Sequence, residues 1–374
     1  MHRTLVVTND FPPRQGGIET FVKALTDRFP PGRVVVYTSA EPGAAAHDAA
    51  LPYPVVRDRT RMLLPTPGAT GRAVALARAH GCDTVWFGAA APLGLMAGRL
   101  RREAGVRRLV ATTHGHEVWW ARTPGARGLL RRVGAGVDAV TFLTAATRAP
   151  IAAALGPGAR LERLVPGVDA GAFRPGVPDR RPGPDAPPVV LCAARLVPRK
   201  GQDTLIRALP RVHARVPGTR LLLVGSGPYE RRLRRLAAEH GVTGSVDFAG
   251  GRPHSAMPDV YAAADVFAMP CRTRRGGLEV EGLGIVYLEA AAAGLPVLAG
   301  ASGGAPDAVR DGETGRVVDG RDTRVVAARL VELLADRPAA RLMGGRGRDW
   351  VRHAWTWDRA YDTLAGLLDP GAPR

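Results

Sequence analysis

Lysine is nearly missing from this chain. Only Lys23 and Lys200 occur among its 374 residues, against 50 arginines, and the formal net charge is +18. With 46 glycines and 32 prolines alongside, that one-sided cation usage reads as a bias toward GC-rich codons, so the charge alone does not point to nucleic acid. Aromatics are 5% of residues, and no helix-turn-helix or RNA-binding signature is present, which argues against a nucleic-acid partner. Cysteine is also scarce. Cys82, Cys192 and Cys271 lie far apart with no CxxC pair, which makes a disulfide framework or zinc site improbable and fits a reducing cytoplasm. No run of about 18 apolar residues exists to span a bilayer. The short apolar run in MHRTLVVTNDFPP reads as a first strand rather than a signal peptide.

What is present is ordinary for a globular chain: 45% hydrophobic and 23% charged residues, at a length that favours two domains of about 150–200 residues. Short β-branched runs predict strands at Thr4–Asp10, Arg33–Thr38, Thr84–Gly88, Arg108–His114, Ala139–Thr144 and Arg163–Pro166. Helices are predicted between them over Gly17–Phe29, Gly68–His80, Pro92–Glu103, Ala126–Gly134 and Ala145–Leu155. A proline-rich stretch, Phe173–Pro188, interrupts the pattern and reads as a linker. Strands then resume at Val189–Arg195, Arg220–Gly225, Ser245–Ala249, Val266–Pro270, Pro296–Gly300 and Arg316–Val318, and helices close the chain at Arg337–His353 and Trp357–Leu368. The alternation implies an α/β protein of two doubly wound, parallel-sheet, Rossmann-like domains facing across a deep cleft. The expected domains are residues 1–172 and 189–355, with helix 356–374 crossing back to the first.

Ligands in such sheets bind beyond the carboxyl ends of strands, and four segments fall there. Gly16 and Gly17 open a helix where backbone amides can approach an anion, although a glycine pair also suits an ordinary βα turn. His114, His116 and Glu117 end a strand. Their spacing is not the helical HExxH of a zinc site, and a sugar-contacting imidazole is the other reading. Trp119 and Trp120 follow, as core or as an apolar platform. Arg195 and Lys200 straddle a tight turn and could converge on one diphosphate, or form a solvated basic turn. The most specific segment is EGLGIVYLE. Glu281 and Glu289 sit eight positions apart across a glycine loop and helix start, where both carboxylates can accept hydroxyl hydrogen bonds and the Gly284, Ile285 and Val286 amides can face a phosphate. The downstream glycine turn Ser302–Asp307 could shape the same pocket. A fifth segment, Arg57, Arg59 and Arg61 followed by Met62 and Leu63, suits an anionic membrane surface or a solvated basic face.

In this order the GGIE loop, the RLVPRKG turn and the E-x7-E segment resemble glycosyltransferase family 4 of the GT-B fold, over essentially the whole chain. The segments TNDFPPRQGGIE, MLLPTP, THGHEV, EGLGIVYLEA and AGASGGAP are closest to the actinobacterial GDP-mannose-dependent phosphatidylinositol monomannoside mannosyltransferases. The resemblance implies a retaining transfer of mannose from GDP-mannose to a phosphatidylinositol mannoside in α-1,6 linkage. Another nucleotide sugar with a different lipid or natural-product acceptor is the alternative enzyme, and a sugar-nucleotide binding protein without turnover is the non-enzymatic one. It implies that Gly16, Gly17, Arg195 and Lys200 meet the donor diphosphate, and that Glu281 and the Gly284–Val286 amides meet sugar and phosphate. Glu289 would hold the ribose, and His114 would contact the donor sugar. Asp10, Arg14, His116, Trp119 and Trp120 are the acceptor-side candidates. No cofactor or metal is expected, in keeping with the lack of an Asp-x-Asp motif. The expected location is cytoplasmic, peripheral on the inner face of the plasma membrane.

Overall fold

A computed structural model of the chain describes residues 2–14, 16–115, 117–175 and 186–371. It divides into two compact units, residues 1–166 with 357–374 and residues 167–356.

The first unit runs β1 (Thr4–Thr8), α1 (Gly17–Thr26), β2 (Val34–Thr38), α2 (Ala44–Ala49), β3 (Val55–Arg57), α3 (Pro67–Ala79), β4 (Thr84–Phe87), α4 (Ala97–Ala104), β5 (Arg108–Thr112), α5 (Glu117–Arg122), α6 (Pro124–Gly136), β6 (Ala139–Phe142), α7 (Ala145–Leu155) and β7 (Leu161–Arg163). The strands form a parallel sheet in the order β3-β2-β1-β4-β5-β6-β7. Its central strands, such as LVV in β1 and VWF in β4, are buried along their whole length, which is why they read as unbroken apolar runs.

Alternate residues of these strands serve opposite faces. Leu5, Val7, Val85, Phe87, Leu109 and Ala111 enter one core with α3 and α4. Val6, Val36, Trp86 and Val110 enter the other, with Phe21 and Leu25 of α1. That second face is completed by the last helix of the chain, α14 (Trp357–Leu368), through Leu364, Leu367 and Leu368. Arg108, 1% exposed, donates from Nε to the Leu367 carbonyl at 2.8 Å.

The second unit runs β8 (Val189–Ala193), α8 (Gln202–His213), β9 (Arg220–Val224), α9 (Glu230–Glu239), β10 (Val246–Gly250), α10 (Met257–Ala262), β11 (Val266–Met269), α11 (Ile285–Ala292), β12 (Val297–Gly300), β13 (Gly315–Val318), α12 (Thr323–Ala335) and α13 (Arg337–Ala354). Its parallel sheet has the order β10-β9-β8-β11-β12-β13, so the winding reverses between β8 and β11. Phe173, at the head of the proline-rich stretch, is buried in this unit against Tyr261, with ring centroids 5.5 Å apart. Residues 176–185 of that stretch lie outside the described residues.

Most differences from the sequence reading are short edge elements. β7 lies two residues earlier than expected, and β3, α2 and α5 were not expected. Both β3 and β7 have three residues, are partly exposed and include arginine, so they lack the apolar run that marks a central strand. The helix expected over Pro92–Glu103 is a 3-10 turn, Leu93–Met96, followed by α4.

Gly344 lies within α13, where alanine would ordinarily stabilise a helix by about 1 kcal/mol. A Cβ there would meet the Gly294 carbonyl oxygen at 2.1 Å, where α13 crosses the end of α11. Gly344→Ala is therefore expected to destabilise the second unit, by about 1–3 kcal/mol. Urea unfolding of the full chain checks this; a stabilised variant would contradict the close approach.

Candidate functional site

At the β8–β11 switch, three loops of the second unit converge. The turn after β8 is drawn tight by glycines that no other residue can replace. Gly201 has φ +79°, and a Cβ on it would lie 2.1 Å from the Pro270 carbonyl oxygen. Gly225, at φ +139°, would place a Cβ 2.1 Å from the Ala194 carbonyl oxygen. This pinning delivers Lys200 into the unit, 8% exposed, with its Nζ donating to Glu281 Oε2 at 2.7 Å. Arg199 reaches the same oxygen through a guanidinium nitrogen at 2.6 Å. One nearly buried carboxylate thus holds two cations, leaving a net positive charge in a poorly solvated place.

The Glu281 backbone is fixed from the opposite side by the Ser302 turn. Its amide donates to Ser302 Oγ at 3.4 Å, and its carbonyl accepts from the Gly304 N–H at 3.0 Å. A Cβ on Gly303 would fall 2.0 Å from that carbonyl oxygen. The expectation that the Ser302–Asp307 turn shapes this pocket therefore has a specific form: it clamps the Glu281 main chain.

Three residues after Glu281, Gly284 caps α11 at φ +79°. Gly284, Ile285 and Val286 are half-buried at its start, where helix amides lack intrahelical acceptors. Glu289, one turn further, is 5% exposed and accepts from the Tyr261 hydroxyl at 2.8 Å. His254 Nδ1 lies 3.8 Å from its other oxygen. Burial raises the Glu289 carboxyl above its ordinary range, although the Tyr261 hydrogen bond opposes this. Burial, together with the Glu289 charge, also raises the Tyr261 phenol.

Arg195 stands apart from this group. It is exposed, and its guanidinium makes no hydrogen bond or ion pair among the described residues. The expected convergence of Arg195 and Lys200 is on a diphosphate; within the chain itself, Lys200 meets Glu281 together with Arg199. Arg199, Tyr261 and His254 were not singled out from sequence. Arg199 stood within the basic turn, but nothing in a linear sequence shows which of its cations points inward.

In the first unit, the carboxyl ends of β1, β4 and β5 carry a second group. His114 follows β5. Its Nε2 donates to the Gly88 carbonyl at 2.6 Å, which sets the proton of a neutral ring on Nε2. The Phe21 ring meets it edge-on, with centroids 5.3 Å apart. Glu117 is fully buried and accepts from the backbone N–H groups of His114 and Gly115 at 2.9 and 3.1 Å, so its carboxylate shapes the His114 turn. His116 lies outside the described residues. Among those described, no group of three His, Cys, Asp or Glu side chains is arranged to hold a metal.

Gly16 and Gly17 are exposed at the start of α1, behind a loop where Arg14 pairs with the buried Glu19 at 3.1 Å. Burial raises the Glu19 carboxyl, and Asp10 adds to the shift. The two tryptophans divide their roles: Trp120 packs against the Leu130–Ile151 core, whereas Trp119 is 55% exposed.

The basic-apolar segment needs correction. Leu63 is not a surface residue but fully buried, because Asn9 clamps its backbone N–H and C=O at 2.6 and 3.0 Å. Arg57 is also drawn in, forming a two-point ion pair with Asp48 at 2.7 and 2.9 Å. Arg59 and Arg61 are exposed, as are Met62 (63%) and Leu64 (47%).

The chain matches two family models, described as Glycosyltransferase Family 4 over residues 15–171 and Glycosyl transferases group 1 over residues 178–350. It is 50% identical over 379 aligned positions to a GDP-mannose-dependent alpha-(1-6)-phosphatidylinositol monomannoside mannosyltransferase of Mycobacterium tuberculosis, covering 98% of each chain. It is 45% identical to the monoacylated-acceptor counterpart of Corynebacterium glutamicum, covering 98% of this chain and 97% of that one. Among solved structures, HepE of Anabaena in complex with UDP superposes with a TM-score of 0.78 at 19% identity, covering 98% of this chain and 99% of that one. A sucrose-phosphate synthase from Thermosynechococcus elongatus gives 0.76 at 23% identity, covering 98% of each. At those identities the likeness is one of fold.

A raised Glu289 carboxyl means the folded state holds this proton more readily than the unfolded chain does. Stability from this group is then lost as pH rises from the unfolded value through the folded one, and near neutral pH the ionised side chain is a net cost. Glu289→Gln is expected to raise Tm near neutral pH, with the gap closing as pH falls into the carboxylate range. Heat unfolding at a series of pH values measures this, and a lower Tm for the variant at neutral pH would contradict it.

Proposed function

The chain belongs to glycosyltransferase family 4, and we propose that it transfers mannose from GDP-mannose to a phosphatidylinositol mannoside, retaining the anomeric configuration and using no metal ion. The observation that carries the reading is the Lys200–Glu281–Arg199 cluster beside the α11 N-terminus. Two cations on one carboxylate leave a fixed, weakly solvated positive charge, which suits a diphosphate whose negative charge grows as it leaves. The helix-start amides of Gly284 to Val286 add partial positive charge in the same place. The remaining Glu281 oxygen suits a sugar hydroxyl, and Glu289 suits the ribose. The α-1,6 linkage is taken from the names of the relatives.

In the transfer, the bond from the anomeric carbon to the diphosphate oxygen breaks and a bond to an acceptor hydroxyl oxygen forms. On a front-face route the acceptor proton passes to the departing phosphate. That requires no side-chain base, so the residues bind, orient and neutralise. His114, held by Gly88 and Phe21, is assigned to the donor sugar, and Gly16, Gly17 and the exposed Arg195 to the diphosphate. Asp10, Arg14 and Trp119 are assigned to the acceptor. Arg59, Arg61, Met62 and Leu64 are assigned to the lipid surface, with Leu64 taking the place expected for Leu63.

Purified protein given a phosphatidylinositol monomannoside should transfer from GDP-mannose, and EDTA should leave the rate unchanged. Transfer from UDP-glucose in its place would overturn the donor assignment, and loss of activity with EDTA the metal-free one. Lys200→Ala leaves Glu281 paired with Arg199, so the fold should survive while kcat/KM falls by about 100-fold or more. Glu289→Ala should cost a similar factor, and near-native turnover in both would place the donor elsewhere. Co-sedimentation with anionic vesicles should fall with added salt and in Met62→Asp. Equal binding of the variant would remove this loop from the membrane contact.

A further inference from the structure

Beside the donor cluster, within the second unit, lies a cavity of about 410 Å³ lined by Asp203, Thr204, Arg207, Arg272, Arg274, Arg275 and Arg321. It is bounded by the first turn of α8, the loop after β11 and the loop after β13. The Arg272 backbone N–H donates to the Arg199 carbonyl at 2.9 Å, so the cavity adjoins the cluster without sharing its side chains.

The charges do not balance. Asp203, 3% exposed, accepts from Arg272 at 2.9 and 2.8 Å and from Arg207 at 3.0 Å. Glu279 takes Arg274 and Arg275, each at 3.2 Å. Arg321 donates through its guanidinium to the Thr273 carbonyl, and its side chain pairs with no carboxylate among the described residues. Five guanidinium groups therefore pair with two carboxylates, and a third carboxylate, Asp319, accepts from the Arg321 backbone N–H at 2.9 Å, which still leaves an excess of positive charge around one concavity. Like charges gathered this way repel one another, and an anion in their midst relieves the repulsion.

The backbone carries a second, independent sign. Arg275, at φ +50°, is the one non-glycine residue with positive φ among those described. Such a conformation is strained for a residue with a Cβ and gathers at ligand-binding loops. The volume falls in the range of small-ligand sites, about 300–1,000 Å³, but the lining is charged where most such sites are apolar. Planar guanidinium forks match phosphate oxygens two at a time.

We propose that this cavity binds a phosphate ester or polyphosphate, at a site distinct from the residues assigned to the nucleotide sugar. Its recognition is by charge and fork geometry, with Arg275 and Arg321 as the exposed contacts and Arg272 held in place by Asp203 and Thr204.

Calorimetric titration of the full chain with inorganic pyrophosphate, after saturation with GDP, tests the site. Wild-type protein should show one further saturable site. Arg275→Glu combined with Arg321→Glu should weaken it by about tenfold or more, while GDP affinity and Tm stay at wild-type values. No further saturable binding, or binding unchanged in the double variant, overturns the proposal. Failure of GDP itself to bind would count against the donor reading alone, since loss of pyrophosphate binding in the variant still locates the cavity. Vesicles of phosphatidylcholine with phosphatidic acid separate the two sources of such a phosphate. Vesicle binding that pyrophosphate displaces and the double variant lacks assigns a lipid headgroup. Pyrophosphate binding without vesicle binding assigns a free phosphate compound.

Discussion

One oxygen of Glu281 is the point on which the loops at the carboxyl edge of the second unit's sheet depend. Two cations from the loop after β8 meet it at 2.6 and 2.7 Å, and the Ser302 turn holds its backbone from behind. A carboxylate so buried is tolerated because it is doubly paired, and the cations are tolerated because it is there; removing Glu281 would leave two uncompensated cations, whereas removing Lys200 leaves a balanced pair. The same pairing ties together loops from β8, β11 and β12, whose strands are adjacent in the sheet. Position and charge are thus fixed by one group, which is what a site acting by electrostatic preorganisation requires.

The winding of both sheets could be read in the sequence because central strands of a parallel sheet are apolar on both faces, and runs such as VVVYT and RLLLV admit few other readings. β3 and β7, three residues each and partly exposed, carry no such run. In the site, Glu281, Gly284 and Glu289 were legible because a glycine-rich loop opening a helix constrains what its carboxylates can do. The partner of Lys200 was not, because 81 positions separate it from Glu281 and the bond exists only once two loops are folded. Leu63 shows the same limit on a smaller scale. Within MLLP, exposure alternates from Met62 to Leu64 because a distant Asn9 grips the backbone of the middle residue, and no local pattern marks which leucine turns inward.

The first unit solves a different problem. Its carboxyl edge presents a histidine whose ring, tautomer and turn are held by Phe21, Gly88 and Glu117. Gly88 itself tolerates no side chain, since a Cβ would lie 2.8 Å from Thr8 Oγ1. An imidazole fixed this firmly is suited to directing a hydrogen bond and poorly suited to swinging between partners.

The placement of α14 bears on how the protein is made. Its leucines complete one face of the first sheet, over Val6, Val36, Trp86 and Val110, yet the ribosome reaches them only after residues 167–356 have been synthesised. Throughout that interval the nascent first unit has this face covered by α1 but not yet completed by α14, while the second unit has all its strands. The usual order in which the amino-terminal part of a chain matures first is therefore inverted here. The half that emerges earliest is the last to be completed, since α14 is the last element of the chain.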